Sequence, residues 1–174
     1  MRGKPHGRAI RAPVLKALCT SRILRLKLKI EIKPLGRKLI ILGVVLFLIG
    51  LIQGALIPIF HNPRMALSAH LAAVQSGMAM VIFGIIWGMV ILKENLLKLA
   101  YYTNVLGMFL VWFAISLASI LGTSRALPIA GQGFSASTIA ENTVGIIVVL
   151  GSLAMVFSIS IIVVGLVKGG NEST

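Results

Sequence analysis

The chain has 174 residues, of which 57% are hydrophobic and only 12% are charged. Soluble domains are about 45–50% apolar and about 25% charged, so this composition excludes an ordinary soluble globular domain. The formal net charge of +13 is also unevenly placed, because the first 38 residues hold twelve Lys and Arg against one Glu. A basic segment beside a membrane span typically fixes orientation and contacts anionic lipid, so it does not indicate nucleic-acid binding.

Residues 1–38 are predicted to form a basic N-terminal tail on the cytoplasmic side. The chain contains one cysteine, Cys19, which excludes a disulfide framework within a single chain. The first long apolar run begins only after this tail and is long enough to span a membrane. We therefore expect no cleavable signal peptide.

Four apolar runs follow the tail, and each reaches the length of about 20 residues that a helix needs to cross a bilayer. The sequence thus predicts an all-α integral membrane protein with a transmembrane domain at 39–168 and a short C-terminal tail at 169–174. The predicted spans are 39–60, 65–92, 98–121 and 143–167. Basic residues beside the spans place both termini on the cytoplasmic side of the cell membrane.

Small residues recur along the second and fourth spans. They allow helix backbones to approach closely, which favours helix association in lipid. The pattern predicts a compact four-helix bundle that assembles further into a homo-oligomer.

The loop at 122–142 is long for a connection between neighbouring helices. Loops of this length are often lids or binding loops. The loop ends in Thr138-Ile139-Ala140-Glu141, which matches the capping box that begins many helices. Glu141 is therefore expected to cap the fourth helix, and the alternative is a catalytic acid or base.

His70 lies inside the second apolar run, where an ionisable side chain is costly and indicates a functional site. One interpretation is a histidine that hydrogen-bonds a neighbouring helix. The other is an axial ligand to haem iron, because one imidazole leaves the sixth iron position open for substrate. A zinc site needs about three protein ligands, and the sequence offers no convincing set.

Three further polar residues surround this histidine in the sequence or share its predicted side of the membrane. Arg64 and Arg125 are either interfacial anchors or partners of haem propionates. Ser76 lies six residues beyond His70 and is a candidate to share its pocket.

The stretch NPRMALSAHLAAVQSGM around His70, together with LPIAGQGFSASTIAEN after the third span, resembles the hydroxylaminobenzene mutase family. The resemblance covers roughly residues 39–168 and leaves out the basic tail. More distantly, the four-span plan and the segment from Ala69-His70 to Gly77-Met78 resemble styrene oxide isomerase.

The second resemblance implies a homotrimer that binds haem b through one histidine and uses ferric iron as a Lewis acid. His70 matches that histidine. An asparagine of the isomerase pocket falls at Ser76, and a pocket tyrosine falls approximately at Ser116. These two departures count against an epoxide substrate and leave the haem ligand in place.

Together the resemblances imply a haem-dependent membrane mutase that converts a small aromatic hydroxylamine to an aminophenol. Ser76, Ser116 and Glu141 are the candidate catalytic residues. One alternative is an epoxide isomerase. Another is a non-enzymatic or electron-transfer haem protein, in which a methionine would supply the second axial ligand.

Overall fold

The computed structural model describes residues 33–171, so most of the predicted basic tail and residues 172–174 lie outside the described residues. Four long α-helices, each apolar enough to cross a membrane, account for most of this range. They are α1 (Pro34–Ala55), α2 (Pro63–Ile86), α3 (Glu94–Leu121) and α4 (Thr138–Asn171). Short 3-10 turns follow α1 at Ile57–Ile59 and α2 at Trp87–Met89. The predictions of an all-α fold and of four spans are confirmed.

The helix ends differ from the predicted spans for local reasons. α1 begins at Pro34, inside the predicted tail, because proline suits the first position of a helix. It ends at Ala55 because Pro58 has no N–H with which to continue the α-helical hydrogen bonds, and the chain passes into the 3-10 turn. α2 begins after Asn62, whose side chain accepts a hydrogen bond from the Met65 amide at 3.1 Å and so caps the helix.

The four helices pack mainly in sequence order, α1 on α2, α2 on α3 and α3 on α4. α1 also contacts α3, whereas α1 and α4 have no close backbone approach. The predicted four-helix unit is therefore present as an open row, and it is not closed into a bundle. In lipid, an apolar helix face gains little from being covered by another apolar face, so nothing forces the row to close.

α1 and α2 form the closest helix pair because glycines line their contact. Gly36, Gly43 and Gly50 are spaced seven residues apart on α1, and a Cβ atom at Gly43 would lie 2.7 Å from the Gly77 carbonyl oxygen. We call this line of contacts the glycine seam. It confirms that small residues of the second span, here Gly77 and Gly84, pack against a neighbouring backbone.

Candidate functional site

His70 lies on α2 at the end of the glycine seam, and it is half-buried. Its Nδ1 atom is 2.7 Å from the Gly50 carbonyl oxygen. A Cβ atom at Gly54 would lie 2.7 Å from Nδ1 and 2.8 Å from Cε1, so the imidazole occupies the space that a side chain at Gly54 would need.

The contact with Gly50 settles which nitrogen of the neutral imidazole carries the proton. A carbonyl oxygen can only accept, so Nδ1 donates and Nε2 keeps its lone pair. Within residues 33–171 no other group hydrogen-bonds this histidine. Nε2 is therefore the atom of His70 that is free to act as a ligand.

A metal ion held only by side chains has no suitable site in the described part of the chain, where no three His, Cys, Asp or Glu residues come together. The arrangement at His70 provides one nitrogen donor. It fits a prosthetic group that brings its own ligands to the metal and takes a single one from the protein.

Ser76 is buried, but it does not lie beside His70 within one chain. Ala69 packs with Ile115 and Ala118 of α3, and Ser76 follows it by seven residues on the same face of α2. His70 instead faces α1. The structure thus separates the two residues that the sequence placed in one pocket.

Ser116 belongs to a different polar group, which joins α1 to α3. Gln53 Nε2 donates to Ser116 Oγ at 3.0 Å, and Trp112 Nε1 donates to Gln53 Oε1 at 2.7 Å. Gln53 is only 6% exposed. We call these three residues the polar trio.

Glu141 fastens the long loop to the start of α4. Its carboxylate accepts hydrogen bonds from the backbone amides of Ser124 and Arg125, each at 2.9 Å. The helix is capped instead by Ser137, whose hydroxyl accepts from the Ala140 amide at 3.3 Å. The predicted capping box was therefore wrong by one residue, because Ser137 and not Thr138 caps the helix and the Glu141 carboxylate binds backbone amides of the loop.

Arg64 and Arg125, the two arginines that the sequence singled out, also hold the loop between α3 and α4. Arg64 donates to the Gln132 carbonyl oxygen, and Arg125 donates to Asn142 Oδ1 at 3.0 Å. Asn62 adds a hydrogen bond to the Ala130 carbonyl oxygen at 3.0 Å. The loop therefore lies over the start of α2, six residues from His70 along the helix.

The sequence pattern indicated His70 but not Gly50 and Gly54, the two residues that hold its ring. A signal for them was present in the seven-residue spacing of Gly36, Gly43 and Gly50. A repeat of seven keeps one face of a helix against its partner.

Comparison with known proteins identifies the family. The family model for styrene oxide isomerase matches residues 35–167. Hydroxylaminobenzene mutase HabB from Ectopseudomonas oleovorans is 37% identical over 123 residues, which cover 70% of this chain and 75% of that protein. Hydroxylaminobenzene mutase HabA from the same organism is 31% identical over 103 residues, covering 59% of this chain and 76% of HabA. No solved structure matches the chain significantly.

The match to the family model includes all of α2 and α3 and nearly all of α1 and α4, and therefore His70 with the glycines that hold it. Both of these similar proteins are named mutases, so relatives of this chain are isomerising enzymes. The chain therefore belongs to the styrene oxide isomerase family and is an isomerase.

Proposed function

We propose that this protein is a membrane mutase that rearranges small aromatic hydroxylamines, with haem b bound through His70. The observation that carries the choice of substrate is the 37% identity to a hydroxylaminobenzene mutase over three quarters of that protein. The finding that carries the choice of ligand is the free Nε2 of His70.

The surroundings of His70 support a role in holding an iron porphyrin. Histidines that bind metals usually donate their other ring N–H to a backbone carbonyl or a carboxylate, which fixes the ring and raises its basicity. Gly50 supplies such a carbonyl here. When bound, ferric haem would supply Lewis-acid polarisation of the N–O bond.

The proposed reaction is balanced without any redox partner. Conversion of hydroxylaminobenzene to an aminophenol breaks the N–O bond and forms a C–O bond on the ring. The ring carbon loses a proton and the nitrogen gains one, so the product is an isomer of the substrate. The chain's own part is to fix the imidazole, to keep the site dry within apolar helices and to hold the loop over the end of α2.

Epoxide isomerisation is the second candidate, and the match to the styrene oxide isomerase family model favours it. The same Lewis-acid chemistry would act on an epoxide oxygen. Ser76 and Ser116 stand where the resemblance places an asparagine and a tyrosine, and this departure favours the hydroxylamine. The remaining roles stay proposals: Ser76, Ser116 and Glu141 in catalysis, and Arg64 and Arg125 as partners of haem propionates.

We also propose a homotrimer in the cell membrane, with lipid around it and both termini in the cytoplasm. The open row of helices supports self-association, because α1 and α4 each keep a face that no other described helix covers. The basic residues near Lys93, Lys98 and Lys168 support the orientation.

An activity assay on purified membranes tests the proposal. Membranes containing the protein should convert hydroxylaminobenzene to an aminophenol faster than they convert styrene oxide to its aldehyde isomer. His70→Ala should abolish the conversion. His61→Ala is the matched control, because His61 packs edge-on against Phe134 in the loop region, and it should keep the activity. Turnover of styrene oxide alone would overturn the assignment of substrate.

A further inference from the structure

Two polar side chains in the interior of the row carry atoms without a hydrogen-bond partner. Asn104 of α3 is completely buried, and so, very nearly, is Trp87 in the turn after α2. Within residues 33–171 no group binds the amide nitrogen or the amide oxygen of Asn104, or the indole N–H of Trp87. A buried polar group that is left unpaired destabilises a fold, so these three atoms indicate a bound partner.

Tyr101 places these atoms in one region of the core. Its ring packs edge-on against the Trp87 ring, with the ring centroids 6.5 Å apart. Tyr101 and Asn104 are three residues apart on α3, so their side chains are neighbours on that helix. Both Trp87 and Tyr101 belong to the same buried cluster.

Asn104 lies where α3 packs closely against α4. A Cβ atom at Gly107 would lie 2.8 Å from the Gly151 carbonyl oxygen. On the other side of Asn104 along α3, the Ser158 hydroxyl of α4 donates to the Ala100 carbonyl oxygen at 2.9 Å. The two contacts enclose the asparagine, so its amide reaches neither lipid nor the membrane surface.

We propose that Asn104 and Trp87 bind ordered water at this point of the core. The indole N–H and the amide N–H groups donate, and the amide oxygen accepts. Water complements this set, because one molecule can accept two hydrogen bonds and donate two. Buried waters typically make about three hydrogen bonds to polar groups that would otherwise be unpaired. The water joins the end of α2 to α3 without a direct bond between side chains.

This water site is separate from the site at His70. Trp87 follows His70 by seventeen residues, which corresponds to about 25 Å along a helix. The water site therefore depends neither on haem nor on the substrate, and it can be tested whether or not the protein is a mutase.

Ultraviolet resonance Raman spectroscopy tests the indole directly, because one vibration of the ring reports whether its N–H is hydrogen-bonded. Trp112→Phe leaves Trp87 as the only tryptophan. In this background the indole should be hydrogen-bonded, and Asn104→Leu should shift the band to that of an unbonded N–H. Thr103→Val is the matched control and should leave the band unchanged, because the Thr103 hydroxyl already donates to the Leu99 carbonyl oxygen at 2.7 Å. An unbonded indole beside an intact Asn104 would overturn the proposal.

Radiolytic labelling separates bound water from a direct bond between the two side chains. A short X-ray pulse converts bound water to hydroxyl radicals, which oxidise the side chains beside it. Trp87 should be oxidised although it is buried, and Asn104→Leu should abolish this oxidation. Met65, equally buried at the other end of α2, is the control and should stay unmodified. A hydrogen-bonded Trp87 that is not oxidised would identify a direct bond to Asn104 and overturn the water site.

A double-mutant cycle tests whether the amide and the indole share the water. Asn104→Leu should lower the thermal unfolding midpoint, because it displaces the water and leaves the Trp87 N–H unpaired. The same substitution should cost less in a Trp87→Phe background, where no indole N–H remains. Equal losses in both backgrounds, or a raised midpoint in Asn104→Leu, would contradict a shared water.

Discussion

The imidazole of His70 lies directly against the α-carbon of Gly54, at a distance that leaves no room for a methyl group. The same edge of the ring also contacts Gly50, because Nδ1 donates to the Gly50 carbonyl oxygen at 2.7 Å. One turn of α1 thus fixes both the position of the ring and the nitrogen that carries the proton. His70 is on α2, but the orientation of its ring is determined by α1.

Gly54→Ala should displace His70 and reduce both haem content and mutase activity. The added methyl group would come within 2.7 Å of Nδ1, so the ring or the helix must move. Overpacking of this kind typically costs about 1–3 kcal/mol in stability. The amount of haem per protein, measured by absorbance after purification, shows whether the displacement of His70 weakens haem binding.

Gly43→Ala is the matched control for this substitution. It introduces an equally close contact, 2.7 Å from the Gly77 carbonyl oxygen, but elsewhere in the glycine seam. Thermal stability should fall in both variants, whereas the position of the haem absorption band should change only in Gly54→Ala. If the haem absorption band changed equally in both variants, general loosening of the glycine seam would be the cause, and not the contact between Gly54 and His70.

Glu141→Gln should loosen the loop between α3 and α4. Glutamine keeps one acceptor oxygen but lacks the charge, and hydrogen bonds to charged groups are worth about 1.5–3 kcal/mol. Amide hydrogen exchange at Ser124 and Arg125 should become faster, because both amides donate to this carboxylate. Glu94→Gln, which alters an exposed pair with Lys98, should leave exchange in the loop unchanged.

The same variant separates the observed role of Glu141 in fastening the loop from the proposed role as a catalytic acid or base. If the carboxylate acts only by fastening the loop, any loss of activity should be accompanied by faster exchange there. A large loss of activity with unchanged exchange would instead identify a catalytic acid or base.

Arg64→Ala and Arg125→Ala should each lower haem content if these side chains pair with propionates. Both cations lie at the loop end of the molecule, where each already binds one acceptor. Full haem content in both variants would contradict the pairing and leave the arginines as residues that hold the loop.

Asn62→Ala should lower the stability of the protein without changing its haem absorption spectrum. The side chain is fully buried, caps α2 through the Met65 amide and donates to the Ala130 carbonyl oxygen. Loss of a helix cap alone costs about 0.5–2 kcal/mol. A thermal unfolding midpoint equal to that of the wild type would contradict this role.

The sequence predicted the number of helices and their order, because four apolar runs of spanning length admit few alternatives. It misplaced the start of α1, because Arg37 and Lys38 look like part of the basic tail. Long basic side chains can extend from the end of a span to the membrane surface, so the helix continues through them.

The candidate site was predictable only in part. An ionisable side chain inside a membrane span costs free energy, so its presence indicates a functional site. This argument alone singled out His70. Its contact with Gly54 depends on how two antiparallel helices are aligned, and no local pattern states that alignment. Sequence spacing likewise suggested that Ser76 shares the pocket of His70, but a separation of six residues places side chains about 120° apart around a helix.

The absorption spectrum of the purified protein tests the central claim most directly. We predict a haem Soret band in the wild type that is lost or shifted in His70→Ala and unchanged in His61→Ala. A colourless wild type purified from haem-replete cells, or a band that His70→Ala leaves unaltered, would contradict the assignment of His70 as the haem ligand.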